Sequence, residues 1–138
     1  MDRDEFVRLA EKLLEKSAFV PLGARVLAWD PDAFAVGIEI DDRHRQPMGW
    51  LHGGVSALLA ESAASMAAVM SVDVEREEAF GVDLNITHLR ARREGRVVAT
   101  ARPLHRGRTT HVYAVDVTDG AGTPIAVSRC TIAIRPRR

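Results

Sequence analysis

Gln46-Pro47-Met48-Gly49-Trp50-Leu51-His52-Gly53-Gly54-Val55-Ser56-Ala57-Leu58-Leu59-Ala60-Glu61 joins an irregular loop to the start of an apolar helix, and that junction organises the chain around it. An amide, an imidazole and two glycines at a helix start leave backbone N–H groups free to hold an oxygen anion. Gly53 and Gly54 lack a Cβ, so both N–H groups can approach a ligand closely while the helix dipole adds partial positive charge. The spacing predicts a helix over roughly 54–71, rich in Ala57, Ala60, Ala63, Ala64, Ala67 and Ala68. A helix so apolar all round is expected to be enclosed by other elements. It carries one acid, Glu61, whose burial is costly unless the carboxylate is bonded, paired or near water.

The flanking sequence supplies the enclosure. Before the loop, Phe34, Val36, Ile38 and Ile40 alternate with Ala35, Gly37 and Glu39, so residues 33–40 read as a strand buried on one face. A partner strand over 24–29 joins it through Asp30-Pro31-Asp32, in which proline sets φ and the aspartates bond nearby backbone. Phe6, Leu9, Ala10, Leu13 and Leu14 recur at helical spacing, which predicts an amphipathic helix over 3–17 within an N-terminal element spanning 1–19. After the apolar helix, period-two runs cover Phe80–Ile86, Val97–Ala101, His111–Val117 and Ile125–Ile134. Glu94-Gly95 and Asp119-Gly120 mark turns between them. Helix, two strands, helix, four strands in one unit, 1–138, imply an α+β domain: a curved antiparallel sheet wrapped around one long central helix. Arg135-Pro136-Arg137-Arg138 reads as a loose tail.

Composition removes several alternatives. With 46% hydrophobic and 28% charged residues in 138, the chain has the apolar content for a single globular core. Residues 53–72 approach the length of a membrane span but contain Glu61 and four serines, so no membrane partner is expected. One cysteine, Cys130, excludes an intramolecular disulfide, and no secretory leader is evident; a reducing cytoplasm is the expected compartment. The second half is net basic, which suits phosphates or a solvated strand face. It lacks the aromatic interleaving of a nucleic-acid groove, and no nucleic-acid partner is expected. No Gly-x-Ser-x-Gly elbow and no ligand set at metal-binding spacing is present, so neither a serine hydrolase nor a metal or cofactor is expected.

Helical geometry then separates the two halves of the motif. Nine residues at about 100° each put His52 and Glu61 on opposite faces, roughly 13 Å apart along the axis. If both serve one site, the acid must meet the Gln46/His52/Gly53 loop of a second copy across a two-fold axis. Ser65, one turn beyond Glu61 on the same face, can orient the carboxylate or a water.

The pattern Gln46-Pro47-x-Gly49-x-Leu51-His52-Gly53-Gly54-x-Ser56, followed by Leu59-Ala60-Glu61-Ser62, resembles the hotdog-fold thioesterases. It is most similar to the PaaI-like aryl-CoA branch that includes 4-hydroxybenzoyl-CoA and 1,4-dihydroxy-2-naphthoyl-CoA thioesterases. Gly81, Asn85-x-x-His88-x-Arg90, Arg93-Glu94-Gly95-Arg96-Val97 and Pro103-Leu104-His105-x-Gly107 extend the similarity over about residues 20–134. The resemblance implies hydrolysis of an acyl-CoA to free acid and CoA by a homodimer that pairs into a homotetramer, with CoA entering only as part of the substrate. It implies that Glu61 attacks the thioester carbonyl or activates water. Gln46 and the Gly53 N–H bind the carbonyl oxygen, His52 organises their loop, and Ser65 places water or the acid. Gly81, His88, Leu89, Arg90 and Ala91 are expected along the acyl and pantetheine passage. His105, Arg106, Gly107, Arg108, Thr109 and Thr110 are expected near the CoA nucleotide, with Arg106, Arg108 and Thr109 departing from the family's lettering. Two other functions fit the same fold: a dehydratase acting on 3-hydroxyacyl thioesters, and a non-catalytic acyl-CoA-binding protein.

Overall fold

The computed structural model describes residues 2–138. Helix α1 (Arg3–Leu14) leads to the strands β1 (Arg25–Asp30) and β2 (Ala33–Glu39), then to a 3-10 turn at Asp42–His44. The loop that follows enters α2 (Gly53–Val69), and four strands complete the chain: β3 (Glu77–His88), β4 (Arg96–Arg106), β5 (Thr110–Asp119) and β6 (Pro124–Pro136). All six strands form one sheet in the order β1-β2-β4-β5-β6-β3, each pair antiparallel. The α+β architecture and order of elements are those expected from the sequence.

Period two and the alanines of α2 together determine the packing. Phe34, Val36 and Ile38, Val97, Ala99 and Ala101, Tyr113, Val115 and Val117, and Cys130, Ile132 and Ile134 are buried on one side of the sheet. They close on Leu59, Ala60, Ala63, Ala64 and Met66 of α2, where short side chains let the strands approach the helix backbone. Glycine serves the same end at Gly37, where a Cβ would lie 2.7 Å from the Val97 carbonyl oxygen.

The structure corrects four expectations. First, α1 is shorter than 3–17 because the Ser17 hydroxyl and backbone N–H both bond the Leu14 carbonyl, ending the helix there. Only the Phe6–Ala10 stripe is buried; Phe6 stacks on Trp29 at 4.1 Å, while Leu9 and Leu13 are exposed. Second, α2 is not enclosed on every side. The sheet covers one flank, whereas Leu58, Glu61, Ser62, Ser65 and Val69 are only partly buried. Third, Arg135 and Pro136 are not a loose tail: they pair with Glu78 and Glu77, and the Arg137 N–H bonds the Arg76 carbonyl. Backbone pairing carries both strands past the apolar run from which β3 was expected to start, and the Arg135 guanidinium lies 5.8 Å from the Phe80 ring centroid. Fourth, the turn after β5 is longer than Asp119-Gly120 alone. The left-handed φ of +82° falls on Gly122, while Asp119 Oδ1 accepts the N–H groups of Ala121 and Thr123.

Strand β3 lies at the end of the sheet, with β6 as its partner on one side and no strand on the other among the described residues. A bulge between Gly81 and Asp83 interrupts its pairing, and Phe80 and Val82 are exposed. Among the described residues no helix is long and apolar enough to cross a membrane.

Candidate active site

The loop from Arg45 to His52 is a small hairpin held by its own backbone. The Gln46 N–H bonds the Trp50 carbonyl at 2.7 Å, Gly49 N–H bonds the Gln46 carbonyl at 2.9 Å, and Gly49 supplies the left-handed φ of +88° that the turn requires. Gln46 Oε1 accepts the Met48 N–H. Because that oxygen is occupied by a donor, the amide orientation is fixed and the Nε2–H pair is left to donate elsewhere.

His52 is the N-cap of α2. Its Nδ1 accepts the Gly54 N–H at 2.8 Å, so the imidazole consumes one of the two donors that the sequence suggested for an anion. Gly54 is thereby removed from that role. Gly53 is the first residue of the helix, and its N–H has no acceptor within the helix. The His88 ring lies against Gly53, where a Cβ would come 2.8 Å from Nε2.

Gln46, Gly53, His88, Leu89, Arg90 and Ala91 line one open groove of about 380 Å³, together with Trp50, Leu51, Ser56, Arg92 and Ile125. Its polar end thus holds an amide donor, a backbone N–H and an imidazole, a set that can polarise a carbonyl. A smaller cavity of about 160 Å³ at the far end of α2 is walled by Trp29, Phe34, Met70 and Tyr113. It carries only Arg106 of the expected site residues, whereas the larger groove gathers six of them.

Glu61 is absent from the lining of that groove. Its Oε1 packs on Gly81, where a methyl group would overlap the carboxylate. From Gly53 it is displaced by about 12 Å along α2, eight residues at 1.5 Å each. Ser65 follows one turn later on the same half-exposed flank. The Cys130 thiol beneath is pushed up to about 12, first by burial and then by the Glu61 and Asp83 carboxylates, so it stays a neutral thiol.

The third group, His105 to Thr110, forms the β4–β5 hairpin. Gly107 N–H bonds the Thr110 carbonyl, and His105 folds over Gly107 so closely that a Cβ there would meet Nε2 at 2.6 Å. Thr109 accepts the Ile134 N–H, joining the hairpin to β6. Arg106 turns back to bond the Pro31 carbonyl and lies 3.6 Å from Asp32, while Arg108 is exposed. Within one chain this hairpin is at the opposite end of β4 from the groove, roughly 30 Å away at 3.3 Å per residue.

Sequence reasoning missed two supports of the loop. His44 is fully buried: Nδ1 accepts the Asp41 N–H at 2.9 Å and Nε2 donates to the Leu22 carbonyl at 2.7 Å, which fixes a neutral tautomer. Its carbonyl accepts the His52 N–H. Arg43 bonds Asp41 in turn and holds that carboxyl well below the usual range. The Asp41-x-x-His44 spacing, a capping arrangement, was the available signal. The second support is Arg92, whose guanidinium bonds Asp119 while its carbonyl accepts the Leu51 N–H; nothing in the local sequence announces it.

Comparison with known proteins places the chain in a family. Residues 48–126 match the family model described as the thioesterase superfamily. A 1,4-dihydroxy-2-naphthoyl-CoA hydrolase of Listeria monocytogenes is 38% identical over 85% of this chain and 94% of its own. The Escherichia coli protein of the same name is 38% identical over 75% of each. Among solved structures, a mutant thioesterase from Pseudomonas aeruginosa superposes with a TM-score of 0.92 at 37% identity, covering 95% of this chain and 94% of that one. A Haemophilus influenzae thioesterase gives 0.90 at 34% identity, covering 94% and 90%. This chain therefore belongs to the thioesterase superfamily and is a thioester hydrolase built on the hotdog fold.

Proposed function

We propose that this chain hydrolyses an aromatic acyl-CoA, of the kind named for its Listeria and Escherichia relatives, at sites shared between two copies. The observation that carries the proposal is the Gln46 amide. With Oε1 tied to Met48, its Nε2 donates into the groove beside the Gly53 N–H, and the two together hold the thioester oxygen as it gains charge. The acid comes from the second copy. Antiparallel pairing of β3 with its symmetry mate about a two-fold axis covers the unpaired edge and the exposed Phe80 and Val82. The same pairing carries the partner copy's acid and hairpin toward this copy's groove, because β3 runs from the hairpin end at Glu77 to the groove at His88.

In the general-base form, Glu61 takes a proton from water and the hydroxide adds to the carbonyl carbon. The oxyanion collapses, the C–S bond breaks, and the CoA thiolate takes its proton from Glu61. In the nucleophilic form, Glu61 itself adds to the carbon, CoA leaves as thiolate, and water cleaves the resulting anhydride. Ser65 orients the attacking group in either form, and His52 keeps the helix start in place. His88 to Ala91 with Gly81 border the acyl and pantetheine path. The partner's hairpin, with Arg108 as its exposed cation, meets the CoA phosphates through charge-assisted bonds. The two-fold dimer doubles again to a tetramer. No resident cofactor takes part, and the protein works in the cytoplasm.

Complementation tests both the roles and the sharing. Glu61→Gln and Gln46→Ala, assayed singly on benzoyl-CoA, should each lose on the order of 100-fold or more in kcat. Unfolded together and refolded as a mixture, they should recover about a quarter of wild-type activity, since half the dimers carry one intact site. No recovery from correctly assembled mixtures would refute the shared site, and near-normal turnover by Glu61→Ala would refute the acid's role.

A further inference from the structure

We infer that Arg93 is a positioning residue for thioester hydrolysis, acting as a clamp that holds the Gln46 hairpin in its carbonyl-polarising shape; this rests on the role proposed for Gln46. The hairpin tip is poorly anchored by packing, since Met48 is 73% exposed and Trp50 is 36% exposed. Arg93 reaches it from the β3–β4 loop and engages it on three sides. Its guanidinium stacks over the Trp50 ring at 3.9 Å, and Nη1 donates to the Met48 carbonyl at 3.3 Å. The same Nη1 occupies the space left by Gly49, where a Cβ would lie 2.8 Å from it. The Arg93 carbonyl accepts Arg45 Nε at 2.9 Å, so the residue is itself tied to the stem of the hairpin.

These contacts converge on the segment that fixes the Gln46 amide. Met48 donates its N–H to Gln46 Oε1 and offers its carbonyl to Arg93, so one peptide-linked residue connects the clamp to the amide. Trp50 accepts the Gln46 N–H through its carbonyl while its ring lies under the guanidinium. Planar stacking and a directed N–H bond from one side chain are what arginine supplies and lysine does not. Loss of the clamp leaves the groove intact but lets Met48 rotate, freeing Gln46 Oε1 and with it the direction of Nε2.

Arg93→Ala decides the matter through two readouts. Hydrogen exchange of the 46–51 amides should accelerate markedly while the core strands keep their protection. With benzoyl-CoA as probe, kcat should fall on the order of 10-fold with little change in KM, and Arg93→Lys should recover only part. In a Gln46→Ala background, Arg93→Ala should cause no further loss, because its effect passes through that amide. Unchanged exchange over 46–51 overturns the clamp, whatever the activity. An equal loss of kcat with and without Gln46 overturns its catalytic reach. If wild-type enzyme releases no thiol from benzoyl-CoA, it is the substrate proposal that falls, and the exchange experiment still decides the clamp.

Discussion

At the residue scale, the glycine set closest against a candidate site residue is Gly81. Its backbone φ is not in the left-handed region, so alanine is acceptable to the strand itself. The obstacle is the Glu61 carboxylate, whose Oε1 occupies the space of a β-carbon. Glu61 is a flexible side chain and will yield, so Gly81→Ala should fold with a melting temperature close to wild type. If Glu61 acts as proposed, kcat should nevertheless fall on the order of 100-fold, since a displacement of about 1 Å at a reacting group costs that much. Thiol-release kinetics beside a thermal melt check this; a variant that keeps its kcat would show that the acid does not work from where it rests on β3. The register shift between Gly81 and Asp83 lies directly beside this contact.

At the element scale, the loop that carries Gln46 depends on an element of just three residues, the 3-10 turn at Asp42–His44. Removing the His44 ring leaves the Leu22 carbonyl and Asp41 N–H unpaired beside a cavity. His44→Ala should therefore cost about 2–4 kcal/mol, a drop of roughly 10 °C measured by calorimetry. The strands and α2 were legible in the sequence because period two and an alanine-rich run each report local geometry. Their ends were not, because partners across the sheet decide them: Glu77 and Glu78 extend β3 only because Pro136 and Arg135 lie opposite. The groove was half legible for the same reason. Gln46, His52 and Gly53 are contiguous in a motif, whereas Arg93 stacks on a tryptophan 43 positions earlier and His44 bonds a carbonyl 22 positions back. The motif did mislead at Gly54, because its N–H and the imidazole that captures it are only two residues apart.

At the scale of the whole molecule, stability responds to acid through His111, outside the groove lining, and through Asp119, which bonds Arg92 at the groove. His111 is buried beside Tyr113, and burial is the main influence holding it below 6.5; Arg106 and His105 add to this, and a bond to the Gly107 backbone opposes it. The unfolded chain binds this proton more readily than the native one, so stability is complete above about pH 6.5 and declines as pH falls below it. Asp119, held below 3.8 by the Thr123 N–H and by Arg92, contributes in the opposite sense of charge: its stabilisation is present above that value and is lost in stronger acid. Melting temperatures followed from pH 8 to pH 5 should fall at the acid end, and His111→Gln should reduce the fall. Separately, the dimer proposed to form at the β3 edge would make activity depend on the protein's own abundance. A single copy keeps Glu61 on one flank and Gln46 on another, so the proposed shared site would be incomplete in it. Dilution below the assembly constant would then switch hydrolysis off rather than slow it, and a cell could spare its activated acids simply by making less of the protein.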